Sequence, residues 1–206
     1  MSLSKKIVMI TGGGGAGNEA IFRLLSDRYE LYFVDSDISK IDPTIPLSNK
    51  RQIPLATDNN FLVALKKLCF DLRVDLLIPS VDEELLLIAE SAGHWGETQI
   101  MWPHASYVEA MSDKLAMIRA LEAQGILAPE TESLDQDITK FVFPCIVKPR
   151  EGRGSRGVFS VTNGREVQAF REKIRNDANR QVLQRQYFGV EYTVQMISNS
   201  QRELLC

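Results

Sequence analysis

The run Lys6-Ile7-Val8-Met9-Ile10-Thr11 carries apolar side chains at four consecutive positions, so a strand formed there buries both of its faces. An antiparallel strand with one wet face would alternate instead. The feature therefore points to the interior of a parallel sheet with helices packed on both sides. The residues that follow keep the same rhythm. A glycine-rich turn leads into a helix from about Asn18, with Ile21, Leu24 and Leu25 on one face. A second apolar run, 31–34, ends at Asp35, and the Pro-bearing stretch 42–54 reads as irregular with room for a short strand. Phe61, Leu65, Leu68 and Cys69 recur at helical spacing within 59–72. A strand at 75–79, a helix at 82–90 opened by Asp82 as its cap, and a short strand at 99–102 complete the series. Strand and helix in alternation predict a doubly wound, Rossmann-like α/β sheet over 1–105.

A second organisation begins near His104. Ser112 reads as the N-cap of a helix carrying Leu115, Ile118 and Leu121 and stopped at Gly125. Residues 126–133 read as a Pro-containing linker. A hairpin, a charged helix at 165–175 and two further strands, 182–187 and 191–197, then describe an α+β unit over 106–206.

The hairpin holds the densest chemistry. Residues 143–157 read FPCIVKPREGRGSRG, an apolar strand delivering Lys148 at its end and then a loop of three glycines and two arginines. Glycine amides can turn inward, and guanidinium groups beside them fit phosphate oxygens. Lys148, Arg150, Arg153 and Arg156 crowd four positive charges together, which an anion would relieve. The spacing is not that of a P-loop. The plainer alternative is a surface hairpin whose glycines only permit the turn. Lys114, at the start of the preceding helix, gains nothing from the helix dipole there, so another partner is expected for it; an anion fits, and a solvated surface lysine is the alternative.

Gly12, Gly14 and Gly17 satisfy G-x-G-x-x-G after a strand and before a helix, with Asp35 at the end of the next apolar run. Taken alone this is a dinucleotide fingerprint, and an NAD(P)-binding Rossmann protein is the principal rival reading. Two other readings stay open: a tight, closely packed strand–helix turn, and a contribution from Gly14 and Gly15 to an acceptor substrate. His94 and His104, the two histidines, offer no hydride-transfer setting.

The hairpin resembles the phosphate-clamping element of ATP-grasp enzymes, in the branch similar to the carbamoyl-phosphate synthase large subunit and related carboxylate–amine ligases. Ser112-Asp113-Lys114-Leu115, the run 184–194 (QRQYFGVEYTV) and the loop 77–84 (LIPSVDEE) agree with that family in order and spacing. The resemblance implies a pre-ATP-grasp domain followed by the N-terminal part of an ATP-grasp domain, and activation of a carboxylate or bicarbonate as an acyl phosphate for attack by an amine. It implies that Lys114 and Lys148 contact phosphates and that Gly152, Arg153, Gly154, Ser155, Arg156 and Gly157 close over them. Residues 184–186, with Gln184 and Gln186, would supply hinge backbone groups for the adenine edge, and Glu191 would hold the ribose hydroxyls. Arg185 stands where the family usually has an acidic residue, which leaves the purine-side contacts open. Ser80 and Glu83 would help to position an acceptor or the grasp helix; the acidic turn 82–84 is equally suited to a helix N-terminus. The expected cofactors are ATP and magnesium, whose ligands in the family lie beyond the position of Cys206. The chain is accordingly expected to be truncated at its C-terminus and inactive alone, and a noncatalytic nucleotide-binding module derived from a ligase is a third reading.

Composition narrows the partners. A formal net charge of −3 over 206 residues argues against a nucleic-acid binder acting by bulk electrostatics. The three cysteines have neither metal-ligand nor redox spacing, which suits free thiols in a reducing cytoplasm. No stretch has the length of a membrane span, so the expected partners are the nucleotide and small carboxylate and amine substrates, with a homodimer left open.

Overall fold

A computed structural model describes residues 4–91, 95–103, 105–152, 154–194, 196–199, 201 and 203–205. The chain divides into two compact units, Met1–Asp113 and Lys114–Cys206.

In the first unit, β1 (Lys6–Thr11) lies at the centre of a five-stranded parallel sheet. Its neighbours are β2 (Tyr29–Asp35) and β4 (Leu76–Ile78); β3 (Lys50–Gln52) and β5 (Gln99–Ile100) form the two edges. The order β3-β2-β1-β4-β5 is doubly wound. The apolar run of β1 is continuous because each face meets its own core. Val8 and Ile10 join Leu31, Phe33, Ile41 and Ile45 beneath α1 (Asn18–Leu25). Met9 joins Val34, Leu77 and, from α2 (Phe61–Leu72) and α3 (Asp82–Glu90), Phe61, Leu65, Cys69 and Ile88 on the other. Helix α4 (Ala105–Ser112) packs on α3.

The second unit opens with α5 (Lys114–Ala123) and contains a four-stranded antiparallel sheet. Its strands are β6 (Thr131–Ser133), β7 (Cys145–Pro149), β8 (Phe159–Val161) and β9 (Gln181–Arg185), in the order β6-β9-β7-β8. Helix α6 (Gly164–Ile174) covers one face, where Val147, Val161, Val167 and Leu183 form the core with Cys145 and Leu134. Asn163 caps α6, its side-chain oxygen accepting from the amides of Arg165 and Glu166 at 3.0 and 3.1 Å, while Glu166 reaches back to the Thr162 amide at 2.7 Å.

The fold is thus α/β with a parallel sheet followed by an antiparallel one. Four local expectations are corrected. The supposed linker 126–133 contains β6, which pairs with β9 through Thr131–Gln184 and Ser133–Val182. Ser112 does not cap α5: it closes α4, its hydroxyl donating back to the Val108 carbonyl at 2.7 Å. Asp82 is the first helical residue of α3, whose N-cap position is Val81, and no side chain caps it. Among the described residues of 191–197 there is no strand. The backbone instead makes a small turn held at Ser198–Leu204, where the Asn199 side chain accepts from the amides of Gln201 and Glu203.

Candidate functional site

Residues opposite one another in an antiparallel sheet share a face. The register pairs Lys148 with Val182, Ile146 with both Gln184 and Ser160, and Thr131 with Gln184. The face of the second sheet away from α6 therefore carries Lys148, Gln184, Thr131 and Ser160 together, and the opposite face supplies the core. One sheet separates a packed apolar side from a polar platform.

On that platform the Lys148 ammonium donates to Gln184 Oε1 at 2.7 Å. Gln184 Nε2 donates to Thr131 Oγ1 at 2.7 Å, and the threonine hydroxyl donates to the Pro129 carbonyl at 2.7 Å. Thr131 and Gln184 are buried. Burial, and after it the positive charge of Lys114, holds the Lys148 ammonium below the usual lysine range. Its hydrogen-bond acceptor is a neutral amide, so the two lysines stand as neighbouring like charges. That arrangement has a reason to exist where an anion completes it.

Lys114 begins α5 and faces the hairpin. Its amide donates to the Arg150 carbonyl at 2.9 Å, and its ammonium to the carbonyls of Gly152 at 2.9 Å and Arg150 at 3.2 Å. The side chain fastens the beginning of the cationic loop, and an ammonium retains a third proton for another acceptor. Arg150 is tied in turn to the residue just before β9, its amide donating to the Arg180 carbonyl at 2.9 Å. Gly152, Gly154, Ser155 and Gly157 all have positive φ, between 55° and 100°. At Gly157 a Cβ would also press on the Pro149 ring, at 3.1 Å. Arg156 is exposed on the loop, and Arg153 lies outside the described residues.

The proposed hinge divides. Gln184 lies in β9 between β6 and β7, its backbone within the two ladders and its side-chain amide in the platform. The amides of Arg185 and Gln186 donate to the carbonyls of Glu130 and Pro144, at 2.9 and 3.0 Å. Gln186 Oε1 accepts from the Ser160 hydroxyl at 2.9 Å. The Arg185 guanidinium lies over the Tyr187 ring, 5.3 Å from its centre. Glu191 is exposed and outside any strand. Thr131 is the participant that sequence reasoning missed; a hydroxyl in a short polar segment gave no apolar signal, and only its pairing with Gln184 reveals it.

The glycine-rich turn of the first unit is closed on itself. The amide of Gly13 donates to the Val34 carbonyl, that of Gly14 to Asp35 Oδ2 and that of Gly15 to the Gly12 carbonyl, each at 2.9 Å. Asn18 Nδ2 ties the carbonyls of Gly12 and Gly13 at 2.9 Å. Asp35 also accepts from the Asp37 amide at 3.1 Å, so the carboxylate that a dinucleotide would need for its ribose is engaged by the backbone. Ser80 donates its hydroxyl to the Thr11 carbonyl, and a Cβ on Gly12 would lie 2.7 Å from Val81 Cγ2. These glycines serve close packing. The amides of Gly14 and Gly15 and the hydroxyl proton of Ser80 are thus bonded within the protein. Glu83 is exposed in the first turn of α3.

Among the described residues no group of three or more His, Cys, Asp and Glu could hold a metal ion, and no helix is long and apolar enough to cross a membrane. His94, His104 and Cys206 lie outside the described residues.

Residues 111–206 match the family model of the ATP-grasp domain, and the fold as a whole is consistent with an ATP-grasp fold. A D-alanine–D-alanine ligase of Pseudothermotoga lettingae is 27% identical over 185 residues, covering 77% of this chain and 60% of the relative. The structure of an L-amino acid ligase from Bacillus licheniformis superposes with a TM-score of 0.61 at 18% identity, over 90% of this chain and 45% of that one. A D-alanine–D-alanine ligase from Helicobacter pylori gives a TM-score of 0.53 at 16% identity, over 90% and 64%. The chain spans less than two thirds of each of these proteins.

Proposed function

We propose that this chain is the nucleotide-binding portion of an ATP-dependent ligase that joins a carboxylate to an amine through an acyl phosphate. The observation that carries the reading is the pairing of Lys148 and Lys114 at the root of the glycine–arginine loop, with a neutral amide as the acceptor of Lys148. Two ammonium groups and a loop rich in backbone donors match the oxygens of a triphosphate. Lys148 contacts phosphate from the rigid strand end, Lys114 from the first turn of α5, and residues 152–157, with Arg153 and Arg156, close over the tail. Gln184 and Gln186 line the base side and Glu191 takes the ribose. Magnesium would neutralise the phosphates during transfer, with ligands other than a cluster on the described residues.

The names of the similar ligases favour an amino-acid carboxylate as acceptor. Bicarbonate, as in the carbamoyl-phosphate synthase branch that the hairpin resembles, is the second reading. The engaged amides of the Gly12–Gly15 turn weigh against NAD(P). Thermal unfolding is the direct test. ADP or ATP at a hundredfold excess over its dissociation constant stabilises the protein by about 2.7 kcal/mol, NAD leaves it unmoved, and Lys148→Ala abolishes the nucleotide effect. Stabilisation by NAD, or an undiminished ADP effect in Lys148→Ala, overturns the proposal. ADP release with amino acids and with bicarbonate, each in the presence of amines, separates the two acceptors.

A further inference from the structure

The row Lys148–Gln184–Thr131–Pro129 runs in one direction only. The Pro129 carbonyl can accept but not donate, so it takes the single hydroxyl proton of Thr131. The threonine oxygen is thereby left as an acceptor, and the group facing it at 2.7 Å must be the amide nitrogen of Gln184. The amide oxygen then points at Lys148, whose ammonium has donors and no acceptor. Both ends demand the same orientation of the amide. The three side chains sit on adjacent strands, β6, β9 and β7, so the strand ladders fix their spacing.

From this juxtaposition we propose that Thr131 is a positioning residue: it locks the Gln184 amide and so fixes the Lys148 ammonium at the phosphate-facing point of the platform. The inference rests on the reading of Lys148 as a phosphate contact. A carboxylate at 184 would hold Lys148 equally well but would cancel its charge and give Thr131 no donor. Glutamine with threonine behind it supplies an acceptor and leaves the positive charge for a polyanion. Replacing Thr131 with an apolar isostere leaves Gln184 Nε2 buried without an acceptor. The amide must then turn toward another partner, and the ammonium loses its tether.

The test compares wild type, Thr131→Val and Thr131→Ser, with Thr131→Ala in reserve should the valine variant fail to fold. The first measurement needs no nucleotide: the rate of reductive methylation of Lys148, followed by mass spectrometry at one alkaline pH. Valine should raise the rate several-fold, and serine, which keeps the hydroxyl, should restore it. The second is ADP binding by calorimetry, expected to weaken about tenfold in Thr131→Val and to return in Thr131→Ser. Unchanged methylation and unchanged ADP affinity in both apolar variants overturn the proposal, and so does a loss that serine fails to rescue. A methylation response without ADP binding to wild type upholds the relay and removes the nucleotide reading instead.

Discussion

Lys114 offers a test of how the cationic loop is held. Lys114→Met keeps the length and most of the apolar stem but removes the ammonium that bonds the Gly152 carbonyl at 2.9 Å and the Arg150 carbonyl at 3.2 Å. The backbone bond from its amide to Arg150 survives the change. Two partly exposed bonds at the lower end of the usual net range sum to about 1–2 kcal/mol, since water can replace the lost donor. A change of about 1.4 kcal/mol raises the open population of the loop about tenfold. Arg150, Arg153 and Arg156 make the loop a natural trypsin substrate. Where reclosing is faster than cleavage, proteolysis follows the open population. Limited digestion with peptide mapping should show cleavage after these arginines rising about tenfold in the variant. Cuts after Arg23 in α1 and Arg119 in α5 should stay at their wild-type rates. Loop cleavage within twofold of wild type would refute the fastening role, and equal acceleration at Arg23 or Arg119 would assign the effect to general loosening.

Two further outcomes follow from the geometry. Gly12→Ala combines a positive φ of 61° with a Cβ 2.7 Å from Val81 and 2.9 Å from the bonded Ser80 hydroxyl. Its cost should be about 2–5 kcal/mol in urea unfolding, against less than about 1 kcal/mol for Gly17→Ala, where nothing lies near; a loss at position 12 as small as at position 17 would contradict the packing role. Lys148 gives up its proton more readily folded than unfolded, so its contribution to stability rises as pH climbs through the lowered folded value toward 10.5. A phosphate ligand acts the other way, so ADP affinity should fall by at most about tenfold per pH unit through that window, with proton uptake on binding; the same pH profile in Lys148→Met would refute the assignment.

The first unit was largely legible because its signals are apolar and consecutive. Residues 7–10 require two covered faces, and two cores supply them. Helix α2 followed from Phe61, Leu65 and Cys69, all buried. The second unit was read less well for the opposite reason. Strand β6 is Thr131-Glu132-Ser133, buried at both hydroxyls and without an apolar residue, and its partner is visible only in three dimensions. The alternation Val190, Tyr192, Val194 has the period of a strand, yet these side chains are 73–82% exposed and no neighbouring strand pairs with them among the described residues. Resemblance drew attention to the backbone at 184–186, whereas the glutamine side chain is the group aimed at Lys148. Residue types near the site could be named from sequence; which atom faces which could not.

The sealed turn at Gly12–Gly15 has a wider implication. A carboxylate one helix and one strand further along the chain does there what a bound pyrophosphate would do elsewhere: Asp35 occupies the Gly14 amide as a resident anion. A fingerprint for a cofactor can thus persist as architecture, with the protein's own oxygen standing in the ligand's place. Loss of that carboxylate would release the Gly14 amide alone, because the Gly13 and Gly15 amides stay bound to main-chain carbonyls; the loop would remain a scaffold until those bonds also opened.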